Sequence, residues 1–141
     1  MPSLLRHRER GTAAVEMAIV LPALLFVTAA IIDFGRAFNA QILLSNASRE
    51  GARMVAMGYT SGDADTRIRQ ALTGSDLTPN KVYVSCPATP TASQAGSATL
   101  TLPTSGPGAF KWVILDQVSL LFGSAIPTPT ISSTGSMRCG G

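Results

Sequence analysis

Residues 12–32 read TAAVEMAIVLPALLFVTAAII, 21 residues with a single charge, Glu16. As a helix the run spans roughly 31 Å at about 1.5 Å per residue, the thickness of a bilayer's hydrocarbon core. Its flank gives it a direction. The first 11 residues carry Arg6, Arg8 and Arg10 against Glu9. By the positive-inside rule they hold the N-terminus in the cytoplasm and place the bulk of the chain beyond the inner membrane. A cleavable secretory signal is the competing reading, with Val27-Thr28-Ala29 as a passable cleavage site. Two features argue against it: Glu16 stands at the start of the apolar core, and the run continues through Ile31 and Ile32 into a further helical pattern.

That pattern is Ala37, Ala40, Leu44, Ala47, Gly51 and Met54, spaced 3, 4, 3, 4, 3 along one helix face. Most of the stripe is small, so a partner backbone can approach closely. The partner is the chain's own C-terminal part, another subunit, or both on different faces. No proline interrupts residues 23–78, which predicts one helix from about Thr12 to Met57 with Gly58 as its C-terminal stop. Pro22 falls inside the span and predicts a kink, which apolar membrane helices tolerate.

The whole chain has 141 residues, 13% charged, with 14 Ser, 14 Thr, 13 Gly and 9 Pro. Too few charges are present for a long coiled coil or a charged disordered tail, and a single long apolar run excludes a multi-span protein. Of the net charge of +3, the leader supplies +2, and no basic stripe with interleaved aromatics follows it. Nucleic acid is therefore not an expected partner.

Beyond the helix the texture changes. Asp63–Leu72 reads as a short helix with Ala64, Ile68, Ala71 and Leu72 on one face and Gly74 as its stop. Residues 81–85 and 97–102 alternate with period two and read as strands, each with one buried face. Residues 110–122 are strongly apolar, and the Ile114, Val118, Phe122 spacing favours a helix. Thr128–Met137 reads as a last strand. The expected fold is α+β, a long N-terminal hydrophobic helix followed by a small antiparallel-sheet domain. It divides into a leader over 1–11, a transmembrane and stalk helix over 12–58, and a periplasmic domain over 59–141.

Two cysteines are present, Cys86 and Cys139. In an oxidising compartment a bridge between them is the default, closing a loop worth about 4 kcal/mol of chain entropy. Cys86 ends the first strand and Cys139 follows the last, so those strands could be sheet neighbours; two free thiols or bridges between subunits are the alternatives. Catalytic groups are missing. The single histidine, His7, lies in the basic leader, and no metal-ligand cluster, phosphate loop or nucleophile–base pair follows. Asp63 and Asp65 read as first-turn and capping residues of a small helix. No enzyme, cofactor or metal is expected. Trp112 reads as a core residue or a domain–membrane anchor.

The junction Gly11-Thr12-Ala13-Ala14-Val15-Glu16-Met17 carries the functional signal. A bare glutamate in a membrane span costs roughly 2.5–3.5 kcal/mol on insertion scales. Cleavage after Gly11 would free an α-amine at Thr12, about one turn from Glu16, as a partner on the same or a neighbouring chain. The alternative is that Glu16 snorkels at the interface.

This junction resembles the processing site of type IV prepilins in the form used by the tight-adherence (Flp) pilus. Asp33-Phe34-Gly35-Arg36 and Asn46-Ala47-Ser48-Arg49-Glu50-Gly51-Ala52-Arg53 resemble the hallmark of TadE-like pseudopilins. The resemblance is specific over about residues 10–57. It implies removal of the leader by a prepilin peptidase, with Gly11 at the cleavage site, Thr12 as the new N-terminus and Glu16 as the acid at mature position five. Met17 stands where the family most often has an aromatic residue.

The resemblance further implies a minor, pilin-like component of pilus assembly, structural and non-catalytic. Its partners would be the peptidase, other pilins and pseudopilins, and the inner-membrane assembly platform. It implies a single-pass inner-membrane protein that stays in the platform or enters an extracellular pilus. An uncleaved, membrane-anchored periplasmic binding or sensor module is the alternative. Arg49, Glu50, Gly51 and Arg53 are the candidate assembly or docking residues. Glu50 and Arg53, three apart, are placed to pair.

Overall fold

The computed structural model describes residues 5–91, 93–114, 116–117, 123 and 129–139, with side chains from residue 11 onward. Helix α1 (Leu5–Ala56) is one continuous 52-residue element that passes through Pro22 without a break. At about 1.5 Å per residue it is roughly 78 Å long. Its end is chemically explicit. Gly58 adopts φ +82, Tyr59 N donates to Met54 O at 3.1 Å, and Gly58 N donates to Val55 O at 3.2 Å. This pair of bonds is the Schellman arrangement, which needs a left-handed residue that only glycine takes without strain.

Helix α2 (Ser61–Ala71) begins two residues before the expected Asp63. Thr60 is its N-cap, accepting from Asp63 N at 3.3 Å, while the Asp63 carboxylate accepts from Thr60 N at 3.2 Å. Asp63 is thus the third residue of a capping box rather than the start. Ala64, Ile68 and Leu72 are buried, whereas Ala71 is exposed.

Three strands follow, β1 (Asn80–Val84), β2 (Ala95–Thr101) and β3 (Ser132–Arg138), in the antiparallel order β1-β2-β3. The fold is α+β, as the sequence indicates. The last strand starts at Ser132, later than expected, because Pro129 has no amide to give to a ladder. Residues 113–114 and 116–117 are helical; Val118, Phe122 and Thr128 lie outside the described residues.

The sheet lies along the second half of α1. Gln41 Nε2 donates to Ser132 O at 3.0 Å, and Gly135 faces Ser48, so β3 runs alongside α1 in the same direction. Seven helix residues rise about 10.5 Å and three strand residues about 10 Å, so the two elements keep step. Close approach is the governing feature. A Cβ at Gly135 would collide with the backbone of Ser48. One at Gly51 would stand 2.7 Å from Ile68 Cδ1 and 3.1 Å from Ala98 Cβ, and one at Gly96 3.2 Å from Ala56 N. The small stripe of α1 therefore packs on the chain's own sheet and on α2, with Ala40, Leu44, Ala47, Ile68, Leu72, Leu100, Leu102 and Ile131 forming the main core.

Strand β1 turns Lys81 and Tyr83 inward and leaves Val82 and Val84 63% and 54% exposed. A carboxylate decides this face. Asp65 of α2 lies 2.8 Å from Lys81 Nζ and 3.0 Å from Arg69, and accepts from Tyr83 Oη at 2.8 Å. Partial burial pushes the Asp65 carboxyl up. The hydrogen bonds from Lys81 and Tyr83 and the charges of Lys81 and Arg69 outweigh it and hold the carboxyl below its ordinary range. Burial and the bond to Asp65 push the Tyr83 phenol well above its own.

Cys86 and Cys139 form a disulfide with Cα atoms 5.7 Å apart. The strands they follow are not neighbours, contrary to the sequence reading. β2 lies between them, and the bridge closes over its start, where Cys139 N donates to Gln94 O at 3.0 Å.

Two outcomes are expected. Gly135→Ala should lower stability by about 1–3 kcal/mol in denaturant unfolding, because the Ser48 backbone cannot move aside; an unchanged midpoint would refute this contact. Asp65 has a folded-state value below its unfolded value of about 3.9. Its stabilisation is complete above that pH and fades as pH falls through the folded value. The gap in melting temperature between wild type and Asp65→Asn should therefore be wide at pH 7 and close near pH 2. A gap constant with pH would contradict the assignment.

Candidate functional site

Where the apolar run ends, α1 meets the segment after β2. Asp33 is only 3% exposed. Its Oδ2 accepts from Ile114 N at 2.6 Å, at the start of the helical turn that includes Val113 and Ile114. It does from a distance what a local N-cap does, satisfying an amide that the turn leaves unpaired. Its other oxygen has no hydrogen bond but lies 3.5 Å from Arg36 Nη1, one turn along α1. The same Arg36 nitrogen donates to Lys111 O at 3.4 Å, and the guanidinium stands 5.5 Å from the centre of the Phe110 ring.

Aromatic rings complete the clasp. Trp112 is buried, meeting Phe110 edge-on at 4.9 Å and Phe34 edge-on at 6.2 Å. Asp33, Phe34 and Arg36 therefore act on one target, residues 110–114. Gly35 faces open space, with no atom within 4 Å of where a Cβ would stand.

The second motif, residues 46–53, divides between two faces. Ala47, Ser48, Gly51 and Ala52 are buried against the sheet, with Ser48 Oγ 3.2 Å from Ser133 Oγ. Glu50 is half-buried and lies 3.9 Å from Arg67 of α2, so its partner is across the helix pair and not Arg53. Arg49 and Arg53 are exposed. Further toward the N-terminus, Gly11, Thr12, Glu16 and Met17 all lie on exposed turns of α1. On the helix between these two motifs, Phe34, Phe38 and Ile42 recur every four residues and are 56%, 68% and 59% exposed.

Residues 11–53 match the model of the TadE-like protein family. The match begins at Gly11 and covers both motifs. No curated protein and no solved structure shows a match to the chain. The TadE-like family consists of structural and assembly components of the tight-adherence pilus and is not known for enzymes. Among the described residues no group of three or more His, Cys, Asp or Glu could hold a metal. Among the described residues one helix, α1, is long and apolar enough to cross a membrane, and its apolar stretch is not buried against the protein. It is compatible with a membrane anchor.

Sequence reading grouped Asp33 and Arg36 as a motif but missed what they hold. The signal was an acid placed directly after an apolar run, where burial demands donors. The Asp65 cluster and the Glu50–Arg67 pair left no such trace, because their partners are remote in the chain.

Asp33→Ala should leave the Ile114 amide without an acceptor and loosen the clasp. Trp112, the only tryptophan, reports it: emission should shift red and acrylamide quenching rise, while Asp33→Asn, which keeps an acceptor, stays closer to wild type. Unchanged quenching in Asp33→Ala would rule out the capping role.

Proposed function

We propose that this chain is a minor pilin-like (pseudopilin) component of tight-adherence (Flp) pilus assembly, structural and non-catalytic. The observation that carries the reading is the coincidence of three boundaries at one residue. The TadE-like match, the end of the basic leader and the start of the apolar run all fall at Gly11 or next to it. A prepilin peptidase removes residues 1–11, and the α-amine freed at Thr12 partners Glu16 in lipid. The processed chain spans the inner membrane once, with the domain over 59–141 in the periplasm, where the Cys86–Cys139 bridge is stable.

The exposed surface of α1 supports an assembly role. Phe38 and Ile42 are large, apolar and turned away from the chain's own sheet. Arg49 and Arg53 continue the exposed surface as a cationic end, available to a neighbouring subunit or the assembly platform, while Glu50 and Gly51 serve the internal contact with α2 and the sheet.

N-terminal sequencing of the membrane-extracted protein tests the reading. The expected first residue is Thr12, and Gly11→Leu should accumulate as a precursor starting at Met1. A wild-type protein that starts at Met1 supports the uncleaved sensor or binding module instead, and normal cleavage of Gly11→Leu would sink the peptidase assignment. In the same strains, the double variant Arg49→Ala/Arg53→Ala should keep its protein level and lose pilus assembly.

A further inference from the structure

A groove of about 1010 Å³ opens between α1 and the loops around residues 75–77 and 106–111. It is at the upper end of the range for small-molecule sites, about 300–1,000 Å³. We propose that it seats the headgroup of a zwitterionic aminophospholipid, with the chemistry of phosphatidylethanolamine. The inference rests on the reading of α1 as a membrane anchor.

Depth is the first argument. Residues 12–32 fill a hydrocarbon core, so Ile32 marks its boundary. Each headgroup layer adds about 5–8 Å, and Arg36 stands about 6 Å beyond Ile32 along the helix. Ile32, Gly35 and Arg36 all line the groove, which therefore opens at headgroup level. Gly35 keeps that wall recessed, since a Cβ there would project into free space.

Charge is the second. Arg36 and Lys111 line the groove with positive charge and Asp76 with negative charge. The side chains of Lys111 and Asp76 make no hydrogen bond or ion pair among the described residues, and both are exposed. Arg36 uses one guanidinium nitrogen on Asp33 and the Lys111 carbonyl, leaving other donors. Two cations suit a phosphodiester, and the lone carboxylate suits a primary ammonium. A glycerol headgroup has no cation for Asp76, and a choline has no N–H to donate. Apolar Ile32 at the core boundary meets the acyl chains.

The test uses the full chain in phosphatidylcholine vesicles with Trp112 as energy donor, since its ring lies 4.9 Å from that of Phe110 at the groove. The acceptor is a phosphatidylethanolamine or a phosphatidylglycerol labelled with pyrene on an acyl chain, so that the headgroup stays intact. Transfer to the ethanolamine lipid should correspond to about tenfold preferential binding, one charge-assisted hydrogen bond. Asp76→Asn should erase the preference, and Lys111→Ala should reduce transfer to both lipids toward the level of random mixing. Unlabelled phosphatidylethanolamine should compete and free phosphoethanolamine should not.

Equal transfer to both lipids in wild type, or a preference that survives Asp76→Asn, overturns the site. Displacement by free phosphoethanolamine at matched concentration overturns the lipid and assigns a soluble ligand. A chain that fails to float with the vesicles overturns the anchor itself, whereas one that floats without preference overturns the headgroup site alone.

Discussion

Gly135 has no side chain because the backbone of Ser48 occupies the place where one would stand. Much of the fold follows from that contact. A helix and a sheet this close can touch only through residues such as Ala47 and Gly51 of α1, Gly96 and Ala98 of β2 and Gly135 of β3, so the seam is built from small residues on both sides. Bulk is displaced to the margins, where Leu44, Leu100, Leu102 and Ile131 fill the space between α1, the sheet and the start of α2. Interiors are close-packed, so a seam of this kind fixes the relative position of its parts to within a methyl group.

The same helix has to satisfy two surroundings. From Gly11 to Ile32 its side chains face outward on nearly all sides; after Asp33 one stripe is committed to the sheet. Asp33 sits at the change-over and is itself buried, joined to the amide of Ile114 and close to Arg36. The clasp of Phe34, Phe110 and Trp112 covers the transition. A polar pair at such a boundary gives direction where apolar packing alone gives none.

Periodicity made the body of α1, its stop at Gly58 and the small stripe legible, because each depends on near neighbours in the chain. The start at Leu5, seven residues before the expected Thr12, lies in the basic leader, where no apolar period marks it. The stripe also told that something would approach closely, but not what; two partners fitted equally well, and only the sheet's position chose between them. Strand boundaries came within a few residues, but the inward face of β1 was decided by Asp65, sixteen residues before Lys81, which alternation alone cannot show. The sheet order was likewise out of reach. Cys86 and Cys139 suggested adjacent strands, whereas a bridge across the end of an intervening strand satisfies the same cysteine spacing. Glu50 illustrates the general limit: local rules offered Arg53, and the folded chain offered Arg67.

The alignment of β3 with α1 has a mechanical meaning. Contacts from Gln41 with Ser132 to Ser48 with Gly135 lie in a row along the helix axis. Tension applied along α1 therefore loads the seam in shear, with its contacts sharing the force, instead of opening it one contact at a time. The disulfide and the Asp33 clasp stand near opposite ends of that row, where peeling would have to begin. The domain is thus a load carried alongside a rod, and pulling the rod lengthwise leaves it seated.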